Sequence, residues 1–325
     1  MTNPVPDVRT PAGILRLANA FCDAKALLTA VELDVFGALE DGAATGDDLG
    51  HRLGVHGRGL RDFLALLANL GLLTEYGGRY VNTAGSATYL VPGKPTYLGG
   101  FLKRSNRDRY PAWGRLEAAL RNGQRQSGAA SAEPAEVADA LAQQLGPQLI
   151  ESLEWQAHRS VLHLGGGRGG MIAQIVKAFP HLSGSVFDVP AAAPAFAEYI
   201  GAMGMAAAVR FHGGDLFTDE LPTADVVVLG HVLDKLDEPR RARLVRRAFD
   251  AVHRGGVLAV YDRMLADQPN LVENLELSLD RLLLTDSGSE YPPEEIHRHA
   301  AAAGFTASAE LPLGDLDTMV LCYKG

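Results

Sequence analysis

Cysteine is almost absent: Cys22 and Cys322 are the only two in 325 residues, far apart and at no metal-ligand or redox spacing. That excludes a disulfide framework and a thiolate metal centre, and a reduced, cytoplasmic setting is expected. Long apolar runs are missing too. No window approaches the roughly 18 uninterrupted apolar residues of a membrane span. The opening MTNPVPDVRT has neither the charged n-region nor the apolar h-region of an export signal. Positive charge is in deficit, with 30 Lys and Arg against 39 Asp and Glu and a net charge of −9. A nucleic-acid partner would need a strong local basic patch to overcome repulsion from its phosphates. The densest basic stretch, Arg240 to Arg247, interleaves its charges with Leu244, Val245 and Ala248 at helical spacing, as a solvated helix face does. The expected partner is a small molecule, with neither nucleic acid nor membrane.

What is present is ordinary globular material, 47% hydrophobic and 21% charged, in a chain long enough for two domains. Residues 1–12 are rich in proline and polar groups and are expected to be flexible. From Gly13 to Leu39 apolar residues recur at three- and four-residue intervals, which predicts a helical hairpin. Thr45 before Asp47 and Asp48 predicts a helix start, and Gly54 its stop. A second helix, Leu60 to Leu70, precedes LLTEYGGRYVNT, a β-hairpin signal around Gly77 and Gly78. Helix, helix and hairpin make a winged helix, which is often a DNA reader. Its second helix, however, offers only Arg61 as a cation and carries apolar residues on more than one face. A ligand-sensing regulator would need a basic face that Arg58, Arg61 and Arg79 do not build. Residues 94–122 suggest helices with aromatic residues at one end, and QRQSGAASAEPAE reads as a linker. The expected domains are residues 1–125 and 126–325.

From Ser160 onward the pattern alternates strand and helix. SVLHLG, GSVFDV, ADVVVLG and GGVLAVYD are short, β-branched and bounded by glycine or polar residues, as buried parallel strands are. The order implies an α/β fold, a parallel sheet covered on both faces. SVLHL runs into Gly165-Gly166-Gly167-Arg168-Gly169-Gly170 and then MIAQIVKAF, so the backbone can approach a ligand and the helix N-terminus can receive an anionic group. Asp188 closes the next strand, where a carboxylate can accept both hydroxyls of a ribose. Asp215, in FHGGDLF, comes after a third strand-like segment and can reach an adenine amino group.

These segments resemble the S-adenosylmethionine-dependent O-methyltransferases that act on plant phenolics and bacterial natural products. LHLGGGRGG is similar to the family's first motif, FDVP to its ribose motif, GGDLF to its adenine motif and GHVLDKLDE to its catalytic segment. The likeness spans nearly the whole chain, including PTYLGGFLKRSNRDRYPAWGRL and AAAGF. It implies a Rossmann-like class I methyltransferase domain behind a mostly helical winged-helix dimerisation domain, hence a homodimer. It also implies S-adenosylmethionine as cofactor, held by Gly165, Gly167, Asp188, Asp215 and Leu216. Tyr110, Trp113, Asn274, Leu277, Ser278 and Arg281 are the implied substrate contacts.

Two positions depart from the family. The residue two before the first glycine is usually acidic, near the cofactor's methionine amino group, and here it is His163. The catalytic histidine of segments reading approximately HVLHDWDD aligns with Asp234, and the acidic residue after it with Lys235. His231 falls on another position of the motif, where it is read as structural or as a backbone contact beside the cofactor. The two acids that orient the histidine remain, as Asp262 and Glu290. Three convergent carboxylates would push at least one pKa upward, so a shared proton or a bound cation is expected. Asp234 is then a general base, part of a site for an amine or a metal with His231 or His297 as further ligands, or a solvated helix-start residue while proximity drives transfer. The expected activity is methyl transfer to oxygen on a small metabolite. The alternative is a repurposed relative that hydroxylates, decarboxylates or cyclises in the same pocket.

Overall fold

The computed structural model describes residues 8–94, 96–127, 135–265 and 272–325, with the backbone alone for 135–141 and 143. The flexible start expected at 1–12 lies partly, and the linker centre at 128–134 wholly, outside the described residues. The chain divides into two compact units, residues 1–111 and 112–325. The division comes earlier than the sequence boundary at 125 because the segment before the linker packs with residues beyond it. Ala112, Ala119 and Leu283 share a small core with Trp113 and Leu116. The backbone N–H groups of Gln126 and Ser127 donate to the Leu283 carbonyl at 2.8 and 3.2 Å.

In the first unit, Thr10 caps α1 (Pro11–Glu32) by accepting from the Gly13 N–H at 3.1 Å, with Pro11 starting the helix. In place of the hairpin expected over 13–39 there is one long helix to Glu32, uninterrupted by glycine or proline after Gly13, and then only a single 3₁₀ turn at Gly37–Leu39. The chain turns only at Asp34, with φ 58. Next come β1 (Ala44–Thr45), α2 (Gly46–Leu53) and α3 (Leu60–Asn69). Thr45 and Asp48 form a reciprocal capping box at the start of α2, and Gly54 ends it at φ 64. Strands β2 (Leu73–Tyr76) and β3 (Arg79–Asn82) turn through Gly77 and Gly78, whose positive φ of 58 and 76 suits a tight hairpin. With β1 they form the three-stranded wing, in the order β1-β3-β2. After the wing come α4 (Ala84–Tyr89) and α5 (Gly99–Arg104), and α5 continues through a π-helical stretch into α6 (Tyr110–Trp113).

The second unit opens with α7 (Leu116–Asn122) and α8 (Ala135–Glu151). It then alternates β4 (Ser160–Leu164), α9 (Gly170–Ala178), β5 (Ser183–Asp188), α10 (Ala193–Ala202), β6 (Val209–Gly213), β7 (Ala224–Gly230), α11 (Glu238–Ala251) and β8 (Val252–Asp262). It closes with α12 (Val272–Leu284), α13 (Pro293–Ala303), β9 (Ala307–Leu313) and β10 (Asp317–Tyr323). The seven-stranded sheet has the order β6-β5-β4-β7-β8-β10-β9. Its first five strands are parallel, as expected, but β10 runs antiparallel to β8 and β9, so the sheet is mixed. The short β9–β10 connection through Gly314 leaves no room for the crossover that a parallel pair needs. Residues alternate between two cores. Val161, Ile172, Ile175, Val226 and Val228 pack on one face. Leu162, Leu164, Leu229, Leu244 and Ile296 pack on the other. Strand order reverses at β4 and β7, which opens a crevice at their C-terminal ends. No helix among the described residues is long and apolar enough to cross a membrane.

Candidate active site

The loop after β4 takes positive φ at Gly165, Gly167 and Gly169 (72, 53 and 84), which L side chains rarely adopt. A Cβ on Gly165 would stand 2.7 Å from Val232 Cγ2, whereas one on Gly167 would meet nothing within 4 Å. The first glycine thus fits a packed turn and the second faces open space, a cradle into which a ligand's backbone contacts fit. Asp188, at the end of β5, accepts from the Gly167 N–H at 2.8 Å and the Val189 N–H at 2.7 Å. Those bonds fix the carboxylate at the end of β5, with acceptor capacity left for hydroxyls. Asp215 makes an Asx turn, accepting from the Phe217 N–H at 2.7 Å, while Asp219 accepts from the Asp215 N–H at 2.9 Å. Leu216 packs against the second core.

The three acids expected to converge stand together. Asp234, on a single 3₁₀ turn after β7, is 1% exposed, Asp262 at the end of β8 is 0% and Glu290 is 8%. Arg281 of α12 is ion-paired with Asp234 and lies 3.8 Å from Glu290. His231 lies 3.7 Å from Asp262 and 3.1 Å from Asp317. The hydroxyl of buried Tyr291 donates to Asp262, and Arg241 stacks on the Tyr291 ring 4.7 Å from its centre. Burial, and then the charge of Asp234, push Glu290 up to about 8, against the pull of Arg281 and Arg263. Asp262 is raised well above the carboxylate range by burial and by Asp234, despite His231 and the Tyr291 hydrogen bond. Burial opposes the charged form of His231, but the hydrogen bond and charge of Asp317, with Asp262 and Asp234, raise its pKa overall. His163 is driven down to about 4 by burial and the charge of His231, so its imidazole is neutral.

The remaining expected residues divide. Trp113 donates to Asp280 at 2.6 Å and Asn274 to the Leu316 carbonyl at 3.0 Å, while Leu277 and Ser278 are half-buried on α12. Tyr110 belongs to the first unit, under the Lys25 ammonium at 4.7 Å. His297 bonds Ser308 at 2.6 Å on β9 and stands outside the carboxylate cluster. Sequence reasoning misses Asp317 and Tyr291. Tyr291 directly follows Glu290, but its bond to Asp262 is set by the fold, and Asp317 lies in no motif, with only the fold bringing β10 beside β8.

An O-methyltransferase domain model matches residues 129–306, and an O-methyltransferase dimerisation domain model matches residues 15–92. The chain belongs to the O-methyltransferase family. It is 38% identical, over 99% of both chains, to the tetracenomycin polyketide synthesis 8-O-methyl transferase TcmO of Streptomyces glaucescens. It is 35% identical to the N,N-dimethyltransferase OxyT of Streptomyces rimosus, over 94% of this chain and 93% of that one. The crystal structure of human N-acetylserotonin methyltransferase in complex with SAM superposes with a TM-score of 0.86 at 25% identity, covering 98% of this chain and 99% of that one. This O-methyltransferase is an enzyme that uses S-adenosylmethionine. Nothing in these likenesses favours a reaction other than methyl transfer.

The cluster of this O-methyltransferase makes its stability depend on pH. Glu290, Asp262 and His231 all bind protons more tightly folded than their ordinary values allow. Such groups contribute stability that is complete below the unfolded pKa and is lost as pH rises through the folded one. For Glu290 that window runs from its ordinary value of 4.5 to about 8. The melting temperature of the wild type should therefore fall between about pH 5 and pH 8, and Glu290→Gln should flatten that slope. Parallel melting profiles for the two proteins would contradict the burial of a protonated Glu290.

Proposed function

We propose that this O-methyltransferase methylates a hydroxyl oxygen of a small aromatic, polyketide-like metabolite, with Asp234 as proton acceptor and Asp262 and Glu290 as its flanking acids. The substrate class is supported by the identity to an enzyme named for tetracenomycin polyketide synthesis. The observation that carries the residue assignment is the state of Asp234. Its Oδ2 is ion-paired with Arg281, while Oδ1 has no hydrogen-bond partner among the described residues. A carboxylate paired at one oxygen and unpartnered at the other can take a proton from a hydroxyl brought beside it. The neighbours Asp262 and Glu290, with raised pKa values, hold their own protons and limit the repulsion that a second negative charge would bring.

Gly165 and Gly167 would hold the cofactor's amino-acid end through the backbone, Asp188 its ribose, and Asp215 with Leu216 its adenine. When bound, S-adenosylmethionine supplies a methyl group already activated on a sulfonium. The chain's task is then alignment and proton removal, and alignment gives most of the rate. Trp113, Asn274, Leu277 and Ser278 would wall the substrate side with Arg281. The identity to an enzyme named as an N,N-dimethyltransferase favours one second reading, a nitrogen nucleophile in the same position.

A homodimer is proposed on the match to the dimerisation domain and on α1, where Ile14, Leu15, Leu17 and Phe21 are 54, 62, 54 and 56% exposed. Exposed apolar stripes of this kind mark association surfaces. The free thiol of exposed Cys22 fits a reducing, cytoplasmic setting.

Asp234→Asn should lower kcat by about 10²–10⁴-fold and leave cofactor affinity nearly unchanged. Demethylated cofactor should form in a ratio near one to methylated product in the wild type. Product without demethylated cofactor would refute methyl transfer, and a variant with full turnover would remove Asp234 from its role. Light scattering should return twice the 34.6 kDa chain mass, and a monomer at micromolar concentration would contradict the dimer.

A further inference from the structure

Between β7 and the turn that carries Asp234, the backbone makes one left-handed step, at His231, with φ 52. Among the described non-glycine residues only Asp34 shares that region. A side chain there is disfavoured, and such residues persist where their surroundings hold them. What the step accomplishes is visible just after it. Val232 comes against the first glycine of the loop after β4, 2.7 Å from where a Gly165 Cβ would stand. On the same turn, Asp234 reaches Arg281. The placement of both halves of the site thus passes through the backbone of one residue.

The His231 ring is held from several sides. It lies 3.1 Å from Asp317 Oδ1 on β10 and 3.7 Å from Asp262 Oδ1 on β8. It meets the Tyr261 ring edge-on, with centres 5.4 Å apart, and its backbone N–H donates to the Tyr261 carbonyl at 3.1 Å. Asp317 is itself 6% exposed and lies 3.9 Å from Arg263. The acidic groups that face the ring are Asp317, Asp262 and Asp234, and the neutral His163 on β4 feels its charge. Three acids around one imidazole favour its protonated form. A buried carboxylate at the first residue of β10 has no other described cation as near as His231.

We propose that Asp317 and His231 form a latch: their ion pair holds residue 231 in its left-handed step, and so keeps Val232 against the cofactor glycine turn and Asp234 in the carboxylate cluster. Both are positioning residues. Both halves rest on the proposed function, the Asp234 half on its role as proton acceptor and the cofactor half on the assignment of the glycine turn, and they are read apart because ligand binding involves no proton transfer from substrate.

Calorimetric titration with S-adenosylhomocysteine tests the cofactor half on the full-length protein, with each variant first shown to unfold cooperatively. His231→Ala and Asp317→Asn should each weaken binding about tenfold, the scale of a left-handed L residue that must be re-formed by the ligand. His231→Gly should recover most of that loss, because glycine takes positive φ without a side-chain cost. Adding Asp317→Asn to His231→Gly should cost nothing further. In NMR titrations the His231 imidazole should lose its proton at lower pH in Asp317→Asn than in the wild type. The latch is overturned if His231→Gly binds as weakly as His231→Ala, since the ring would then contact the ligand itself. It is equally overturned if Asp317→Asn leaves affinity or the imidazole titration unchanged. An error in the role of Asp234 would appear only in turnover and would leave these affinities in place.

Discussion

Four carboxylates, Asp234, Asp262, Glu290 and Asp317, are buried where the strands of one sheet end, and one of them, Asp234, is ion-paired with the guanidinium of Arg281. Burying an ionised acid costs several kcal/mol unless a partner is close and well placed. Arg281 supplies that partner to Asp234, and His231 with Arg263 supplies it to Asp317. Asp262 and Glu290, without an equal share of cation, answer burial by holding protons. On the proposed function, a site that lacks the family's histidine thus has Asp234, ion-paired with Arg281, as proton acceptor beside two acids that hold protons.

The fold makes this arrangement possible because it collects chain ends. The glycine turn leaves β4, Asp188 closes β5, the Asp234 turn leaves β7 and Asp262 closes β8, all at one end of a parallel array. The antiparallel hairpin β9–β10 then brings Asp317 alongside Asp262. Val232 stands against the glycine turn while Asp234, two residues on, enters the cluster. On the proposed function, displacement of that short segment would disturb cofactor and proton acceptor together.

Much of this is legible in the amino-acid sequence, and the reason is local. Valine-rich runs bounded by glycine announce buried strands, Thr45 with Asp48 announces a helix start, and Gly165 to Gly170 between strand and helix announces a ligand turn. What stays hidden depends on partners distant in sequence. Arg281 can be named as a substrate contact but not as the counter-ion of Asp234, because nothing in the spacing sets the rotation of α12. Asp317 lies in a short hairpin strand with no motif around it, and its meaning comes only from pairing with β8. The helix expected to fold back within 13–39 runs unbroken to Glu32 because apolar period alone does not say where a helix turns. The role of His231 is obscured for a similar reason, since a left-handed φ leaves no mark on residue type.

On the proposed function, Arg281 holds Asp234 where it can accept the substrate's proton, and the two act as one unit. The kcat values of Arg281→Gln, Asp234→Asn and the double variant test this most directly. Arg281→Gln should lower kcat, and the double variant should fall no further than Asp234→Asn alone, because residues that act as a unit lose their effect once. An Arg281→Gln enzyme with a raised KM and an unchanged kcat would contradict the pairing, and would leave Arg281 as a substrate contact alone.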